Sequence, residues 1–426
     1  MELLAKKLLV DKYYHADSRS IANDVVRKFI VDKQLVVTGG LVVDFALRLK
    51  GEKIYEDFEV PDYDFFSTTN ARDASELFEL LMKAGFDNIS LVPGLHPSTI
   101  KIFVFKDCVA DITFASEAYF AELVSSALTY DGILFRNPAI QYTDMHRALC
   151  HPYENEPRET INHRWVKDFQ RFMMLYSFYP VPVSAEPSLS ESNSKLRTQY
   201  IIAGNFASDY YIGTKSNPIG DHVYLMDDTD YEDFVTQNGN KMKDIKRYQP
   251  YQELMPSRTE FELAGERFTV LHCRNKVSIY HVEGQNEAQA MAIAAARRRV
   301  ASRDNSQVIM SGLRIVSINF CIIYNYSMFQ ITRDPRYSYY YARLLELTYK
   351  AYNDGDRRYF PSIVTYGVEL EKSIIIHTNE NPADKVPQVH IASDDSEDVK
   401  AEQLAKLPHD FVPPAEVYDL SGKEIN

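Results

Sequence analysis

Three aspartates in this chain are spaced so that they could do chemistry together. Asp62 and Asp64 lie in the run Asp62-Tyr63-Asp64-Phe65-Phe66, and Asp111 interrupts the otherwise apolar run Cys108-Val109-Ala110-Asp111-Ile112-Thr113-Phe114. Side chains alternate across a strand, so Asp62 and Asp64 project from one face while Tyr63 and Phe65 turn into a core. Two carboxylates on one face repel each other, and a bound divalent cation offsets that repulsion. Mg²⁺ favours such oxygen ligands and lets substrate phosphate complete its octahedron. If the strand of Asp111 neighbours that of Asp62 and Asp64, the three form a triad.

The elements that must position these acids can be read outward from them. Leu35-Val36-Val37-Thr38 is β-branched and apolar, Gly39-Gly40 breaks it, and residues 41–49 carry apolar side chains at helical spacing, which predicts strand, tight turn, helix. Backbone N–H groups at a helix start are unpaired, and glycine lets a phosphate approach without a Cβ in the way, so Gly39 and Gly40 are candidate phosphate ligands. Residues 50–59 (KGEKIYEDFE) then form a polar excursion before the Asp62 strand. Helices are predicted over 18–31, with Ile21, Ala22, Val25, Val26 and Phe29 on one side, and over 74–84; strands are predicted over 89–92, 99–105 and 109–114. Residues 139–179 read as largely helical and carry Arg147, Arg158, Arg164, Lys167 and Arg171.

Composition sets the bounds. At 426 residues, 45% hydrophobic and 12% aromatic, the chain can form two or three domains with substantial cores. No apolar run approaches the roughly 20 residues that span a bilayer. The Leu/Lys-rich start lacks a signal-peptide cleavage site, and four scattered cysteines without C-x-x-C spacing point to reduced thiols in an intracellular compartment. Net charge is −13, and the segment from Glu380 onward carries 11 acids against four lysines, so much of the excess lies in a tail. That tail is expected to be free and dispensable, since its composition buries little surface; the competing expectation is that Phe411, Val412, Val417 and Tyr418 dock it. His146, Cys150 and His151 match no structural zinc spacing and read as packing or solvent residues. P-loop, nucleophile-elbow and H-E-x-x-H motifs are absent from the sequence.

The order strand, Gly-Gly turn, helix, acid-x-acid strand, later strand acid resembles the DNA-polymerase-β-like nucleotidyltransferases. The stretch from Asn137-Pro138-Ala139 through Asp144-Met145-His146-Arg147, followed by Trp165-Val166-Lys167-Asp168-Phe169-Gln170-Arg171, is similar to the segment after the catalytic module in the poly(A) polymerase catalytic subunits of poxviruses and giant DNA viruses. The resemblance covers roughly residues 35–368. It implies an α+β chain with a catalytic nucleotidyltransferase domain and a second, degenerate nucleotidyltransferase-like domain with helical additions. With the Ser/Pro/Glu-rich stretch 181–195 as a linker, the expected divisions are a helical segment 1–34, a catalytic domain 35–180, a second domain 196–378 and an acidic tail 379–426.

What the resemblance implies chemically is template-independent addition of AMP from ATP to RNA 3′ ends, with Mg²⁺, or Mn²⁺ in its place, held by Asp62, Asp64 and Asp111. Gly39 and Gly40 would steady the β- and γ-phosphates, and Lys167 and Arg171, one helical turn apart, would neutralise triphosphate or primer. The implied partners are a processivity subunit or a second copy, and the implied location is the viral factory in the host cytoplasm or the virion. This sequence departs from compact members in its longer gap between Gly40 and Asp62. Read from the residues alone, a nucleotidyltransferase of other base or acceptor specificity shares every candidate catalytic residue, and a non-catalytic RNA-binding or scaffold subunit shares the fold.

Beyond the linker, Tyr200-Ile201-Ile202-Ala203-Gly204-Asn205-Phe206-Ala207 repeats the cadence of residues 36–45. Strands are predicted over 261–268 and 276–282, without an acid-x-acid pair, and Asp227-Asp228-Thr229-Asp230 reads as a loop. Arg297, Arg298 and Arg299 end an alanine-rich helix predicted over 287–303. Arg333, Arg336 and Arg343 interleave with Tyr337, Tyr339, Tyr340 and Tyr341, a composition that suits single-stranded RNA or, equally, ordinary packing.

Overall fold

The computed structural model describes residues 16–94, 98–150, 158–185, 200–212, 221–272, 279–281, 314–354, 386–409 and 420–425. Its contacts divide the chain into two units, 1–141 with 378–419 and 142–377 with 420–426. Helix α1 (Ala16–Lys33) opens the first and buries Ala22, Val26, Phe29 and Ile30, a spacing that keeps one helical stripe on the core. Ile21, expected on that stripe, is 54% exposed.

Strand β1 (Val36–Thr38) passes directly into α2 (Gly39–Arg48), and β2 (Tyr63–Ser67), α3 (Asn70–Lys83), β3 (Ile89–Pro93), β4 (Thr99–Val104), β5 (Asp107–Phe114), α4 (Glu117–Ser126), β6 (Leu128–Tyr130) and β7 (Ile133–Phe135) follow. The strands form a mixed sheet in the order β3-β4-β5-β2-β1-β7-β6. Parallel pairing joins β2 to β5 and β1 to β7, and the remaining neighbours are antiparallel. Val37, Phe65, Ile102, Ile112 and Phe135 from the sheet meet Phe29 of α1 and Leu77, Phe78 and Leu81 of α3 in one continuous core.

Helices α5 (Pro138–Cys150) and α6 (Arg158–Phe178) lead into the second unit. There β8 (Ile201–Ile202), α7 (Gly204–Ile212), β9 (Asp221–Met226), α8 (Asp228–Asn238), β10 (Met242–Tyr248), β11 (Arg258–Leu263), β12 (Glu266–His272), β13 (Ile279–His281) and β14 (Arg314–Val316) precede α9 (Ile318–Thr332) and α10 (Pro335–Asn353). The second sheet runs β10-β11-β12-β9-β8-β14-β13. With β8 standing for β1, β9 for β2, β12 for β5 and β14 for β7, it repeats the first sheet strand for strand, including which pairs are parallel. The cadence at residues 200–207 is therefore the start of a duplicated fold.

Three sequence expectations need correcting here. Residues 261–268 are two strands, because Ala264 and Gly265 take positive φ (57° and 81°) and close a hairpin. Asp227 is a helix cap, its side chain accepting from Asp230 N at 2.8 Å, and not part of a loop. The segment after Thr378 is not a free tail: β15 (Val389–Ile391) pairs antiparallel with β3 and extends the first sheet, and α11 (Glu397–Leu404) follows it. Val386, Val389, Ile391 and Leu407 join the first core. The acidic average of that segment hides an apolar alternation at 389 and 391, which is what an edge strand needs. Phe411, Val412, Val417, Tyr418 and the helix expected over 287–303 lie outside the described residues. Among the described residues, no helix is long and apolar enough to cross a membrane.

Candidate active site

Strand register assembles the carboxylates. Thr38 pairs with Asp64 across β1 and β2, Asp64 with Asp111 across β2 and β5, and Lys101 with Asp111 across β4 and β5, so four polar residues stand in one row across four adjacent strands. Asp62 stands two residues before Asp64, on the same face of the strand run. Phe65 is buried in the core and Tyr63 packs against it, as the alternation requires. Helix α1 fixes the approach to this run, Asn23 Nδ2 donating to the Pro61 carbonyl at 2.6 Å.

Burial first, then the charge of Asp111, pushes the Asp62 carboxyl above its ordinary pKa, with Lys101 and Arg19 opposing. Burial and the charges of Asp62 and Asp111 raise Asp64 further, against a hydrogen bond from the Gly40 N–H. Lys101 is ion-paired to Asp111 Oδ2. Burial disfavours the Lys101 charge, but Asp111 and its neighbours outweigh it and hold the ammonium pKa above the usual value. Lys101, with Arg19 acting on Asp62, supplies the positive charge beside the three acids.

One oxygen each from Asp62 and Asp111 and the Cys108 sulfur all lie within 4.8 Å of one another, close enough to share an ion. The Cys108 thiol donates to Asp111 Oδ1 at 3.0 Å, and burial followed by the Asp111 charge raises its pKa, so it stays a neutral thiol beside the oxygens. A donor set of carboxylate oxygens fits a hard divalent cation.

The glycines are explained by contact. Gly39 has φ +69°, and a Cβ there would sit 2.0 Å from Asp64 Oδ2, so the turn and the carboxylate row are built against each other. Gly40 takes no positive φ, and a Cβ on it would sit 2.1 Å from the Tyr55 hydroxyl. The residues that sequence reasoning missed are Lys101, Cys108 and Tyr55. A lone lysine in the apolar run Thr99–Val104 is the same kind of signal that singled out Asp111, whereas Cys108 and Tyr55 depend on contacts that spacing does not reveal.

The other candidates fall elsewhere. Lys167 and Arg171 lie on α6, in the unit that does not contain the carboxylates, and Lys167 Nζ is 3.9 Å from Asp168 Oδ1. Arg333 ends α9 in the left-handed conformation and bonds Gln330, and Arg336 grips Asp334 through Nε (2.8 Å) and Nη2 (2.5 Å). Arg297, Arg298 and Arg299 lie outside the described residues. The α10 tyrosines are core: Tyr337, Tyr339, Tyr340 and Tyr341 are buried, Tyr340 donates to Asp209 at 2.9 Å, and the Tyr341 hydroxyl meets Thr143 at 2.9 Å. They are unavailable for stacking on bases. His146 is buried too, its Nδ1 2.8 Å from Asn319 Oδ1 and its ring edge-on to Phe172, a packing residue as expected.

Register in the second sheet shows what stands in place of the carboxylate row, with Asp221 two residues before Val223 as Asp62 is before Asp64. Val223 stands where Asp64 does, against the positive-φ Gly204 as Asp64 stands against Gly39, and Thr269 pairs with Val223 as Asp111 pairs with Asp64.

Residues 24–155, which include the whole carboxylate row and the glycine turn, match the family described as Poly(A) polymerase catalytic subunit. An African swine fever virus protein (strain Badajoz 1971 Vero-adapted) named "Putative poly(A) polymerase catalytic subunit" is 36% identical over 173 residues, which cover 41% of this chain and 36% of that protein. An Acanthamoeba polyphaga mimivirus protein of the same name is 27% identical over 231 residues, covering 50% of this chain and 38% of its own length. The chain thus spans little more than a third of the length of these curated relatives. The crystal structure of the Megavirus polyadenylate synthase superposes with a TM-score of 0.64 at 16% identity, covering 100% of this chain and 90% of that one. These matches bear out the family resemblance and the α+β fold read from the sequence.

Proposed function

We propose, from the poly(A) polymerase catalytic-subunit match over residues 24–155, that this chain adds AMP from ATP to RNA 3′ ends without a template. The observation that carries the reading is the direct pairing of Asp64 with Asp111 on adjacent parallel strands, beside a helix that starts on two glycines. In the reaction the RNA 3′ oxygen attacks the α-phosphorus of ATP, the bond to the β-phosphate breaks, pyrophosphate leaves and the hydroxyl proton passes to solvent.

Asp62, Asp64 and Asp111 would hold Mg²⁺, with Mn²⁺ as a substitute, and a cation bound there supplies the positive charge that eases deprotonation of the hydroxyl and departure of pyrophosphate. The chain's own work is orientation and charge placement. Gly39 lets the Asp64 carboxylate lie flush against the turn, the Gly40 N–H holds that carboxylate, and Lys101 fixes Asp111 in its row. With the Gly40 N–H on Asp64, the β- and γ-phosphates would meet the other N–H groups of the first turn of α2. Lys167 and Arg171 are proposed to bind triphosphate or primer, and Arg333, Arg336 and the 297–299 arginines to bind RNA. The chain acts as a homodimer or beside a processivity subunit, which light scattering of the purified protein distinguishes.

The test is incubation with a short RNA primer and each NTP separately, in Mg²⁺ or Mn²⁺. Laddered extension with ATP alone, abolished in Asp62→Ala and Asp64→Ala, is the expected result. Extension with another base, or transfer to a different acceptor, would replace the polyadenylation reading, and binding of RNA without any transfer would favour a scaffold role.

A further inference from the structure

The polar excursion at residues 50–59 is strapped to α2 around Tyr55 by two helix side chains, Asp44 and Arg48. Asp44 Oδ1 accepts from the backbone N–H groups of Ile54 and Tyr55, both at 2.9 Å, and Arg48 Nη2 donates to the Tyr55 carbonyl at 2.8 Å. Arg48 also reaches Asp44 (2.5 Å) and Asp57 (2.9 Å), so the two anchors brace each other. Both main-chain groups of Tyr55 are therefore held by side chains one turn apart on one helix. Ordering a polar loop this tightly costs conformational entropy, and it buries little apolar surface in return.

What the bracing fixes is the Tyr55 side chain. Its hydroxyl takes the space that a β-substituent of residue 40 would fill, and the backbone at Gly40 would tolerate any residue. Glycine is thus required at position 40 by room alone, and the room is occupied by an O–H group. That O–H lies over the start of a ten-residue helix whose first residue touches the Asp64 carboxylate. A phenol donates well to a phosphoryl oxygen, and a helix start favours an anion in the same place.

We infer that Tyr55 is a nucleotide-positioning residue whose hydroxyl donates to the triphosphate at the Gly39-Gly40 turn, held there by Asp44 and Arg48. This assignment rests on the nucleotidyl-transfer reading above. It also gives the long interval between Gly40 and Asp62 a purpose, since the added residues deliver the hydroxyl that the glycine cannot carry.

The experiment uses the full chain as Tyr55→Phe, Tyr55→Ala and the double variant Gly40→Ser/Tyr55→Ala, which returns a hydroxyl to the same place from the other side. Binding of Mg-ATP, tripolyphosphate and AMP is measured by calorimetry, with KM and kcat for primer extension alongside. Tyr55→Phe should weaken ATP and tripolyphosphate about tenfold, the loss of one hydrogen bond to a charged group, leave AMP unchanged, and raise KM with kcat kept. The double variant should regain affinity that Tyr55→Ala loses. Wild-type affinity for ATP in Tyr55→Phe, or an equal loss for AMP accompanied by a lower melting temperature, overturns the assignment and leaves the tyrosine as packing. A wild-type chain that binds no nucleotide overturns the transfer reading, and this assignment with it.

Discussion

A methyl group on Gly39 would disturb this protein in two ways. Its φ of +69° strains any other residue, and the new carbon would overlap Asp64 Oδ2 at 2.0 Å. Gly39→Ala should lower unfolding free energy by about 1–3 kcal/mol and cut turnover roughly a hundredfold, since Asp64 must move to make room. Gly85, with φ +97° and nothing within 4 Å, is the control: Gly85→Ala meets the strain alone and should keep its turnover. Denaturant unfolding and primer extension on both variants check this, and equal turnover in the two would reject the contact. His146 bears on pH. Burial lowers it to about 4, with the Asn319 bond opposing, against 6.5 in the unfolded chain. Between those values the unfolded chain binds the extra proton, so the contribution is complete above pH 6.5 and is lost as pH falls through 4, about 3 kcal/mol in all. Urea midpoints measured from pH 7 to pH 4 should fall less steeply in His146→Gln than in the wild type, and parallel curves would contradict the assignment.

At the scale of elements, what was legible in the sequence is what local pattern determines. The β1-α2 turn announces itself through a glycine pair, and β5 through one acid in an apolar strand, because both signals sit within a few residues. Register does not. Lys101 gains its meaning only when β4 lies beside β5 with Asp111 opposite, and Tyr55 only when residues 54 and 55 fold back on Asp44. Helix α10 shows the reverse error. Arginine and tyrosine alternate along it in a manner that suits RNA, yet Tyr337, Tyr341, Leu344, Leu345 and Thr348 recur at helical spacing and are all buried, so periodicity was the better guide than composition. The 261–268 run misled for a similar reason, since Ala264-Gly265 is a weaker hairpin signal than Asn-Gly.

For the whole molecule, duplication with partial loss explains why the first sheet carries the carboxylate row and the second does not: Val223 and Thr269 stand in the places of Asp64 and Asp111, while Asp221, two residues before Val223, keeps an acid in the place of Asp62. The strand that completes the first sheet comes from the far end of the chain. Val386, Val389, Ile391 and Leu407 are each nearly inaccessible, and at about 1.5–3 kcal/mol per side chain their burial rivals the 5–15 kcal/mol that keeps a domain folded. Truncation after Thr378 should therefore yield an aggregated or molten first unit with no cooperative melting transition, and a truncated protein that unfolds at the wild-type midpoint would refute this. The same strand imposes an order on synthesis. From β7 to β15 is roughly 250 residues, about 13 to 50 seconds of translation, so a ribosome has made the entire second sheet before the edge of the first can close. For that interval β3 is an uncovered strand edge on a nascent chain, a place for chaperones to hold or for neighbouring chains on the same message to pair.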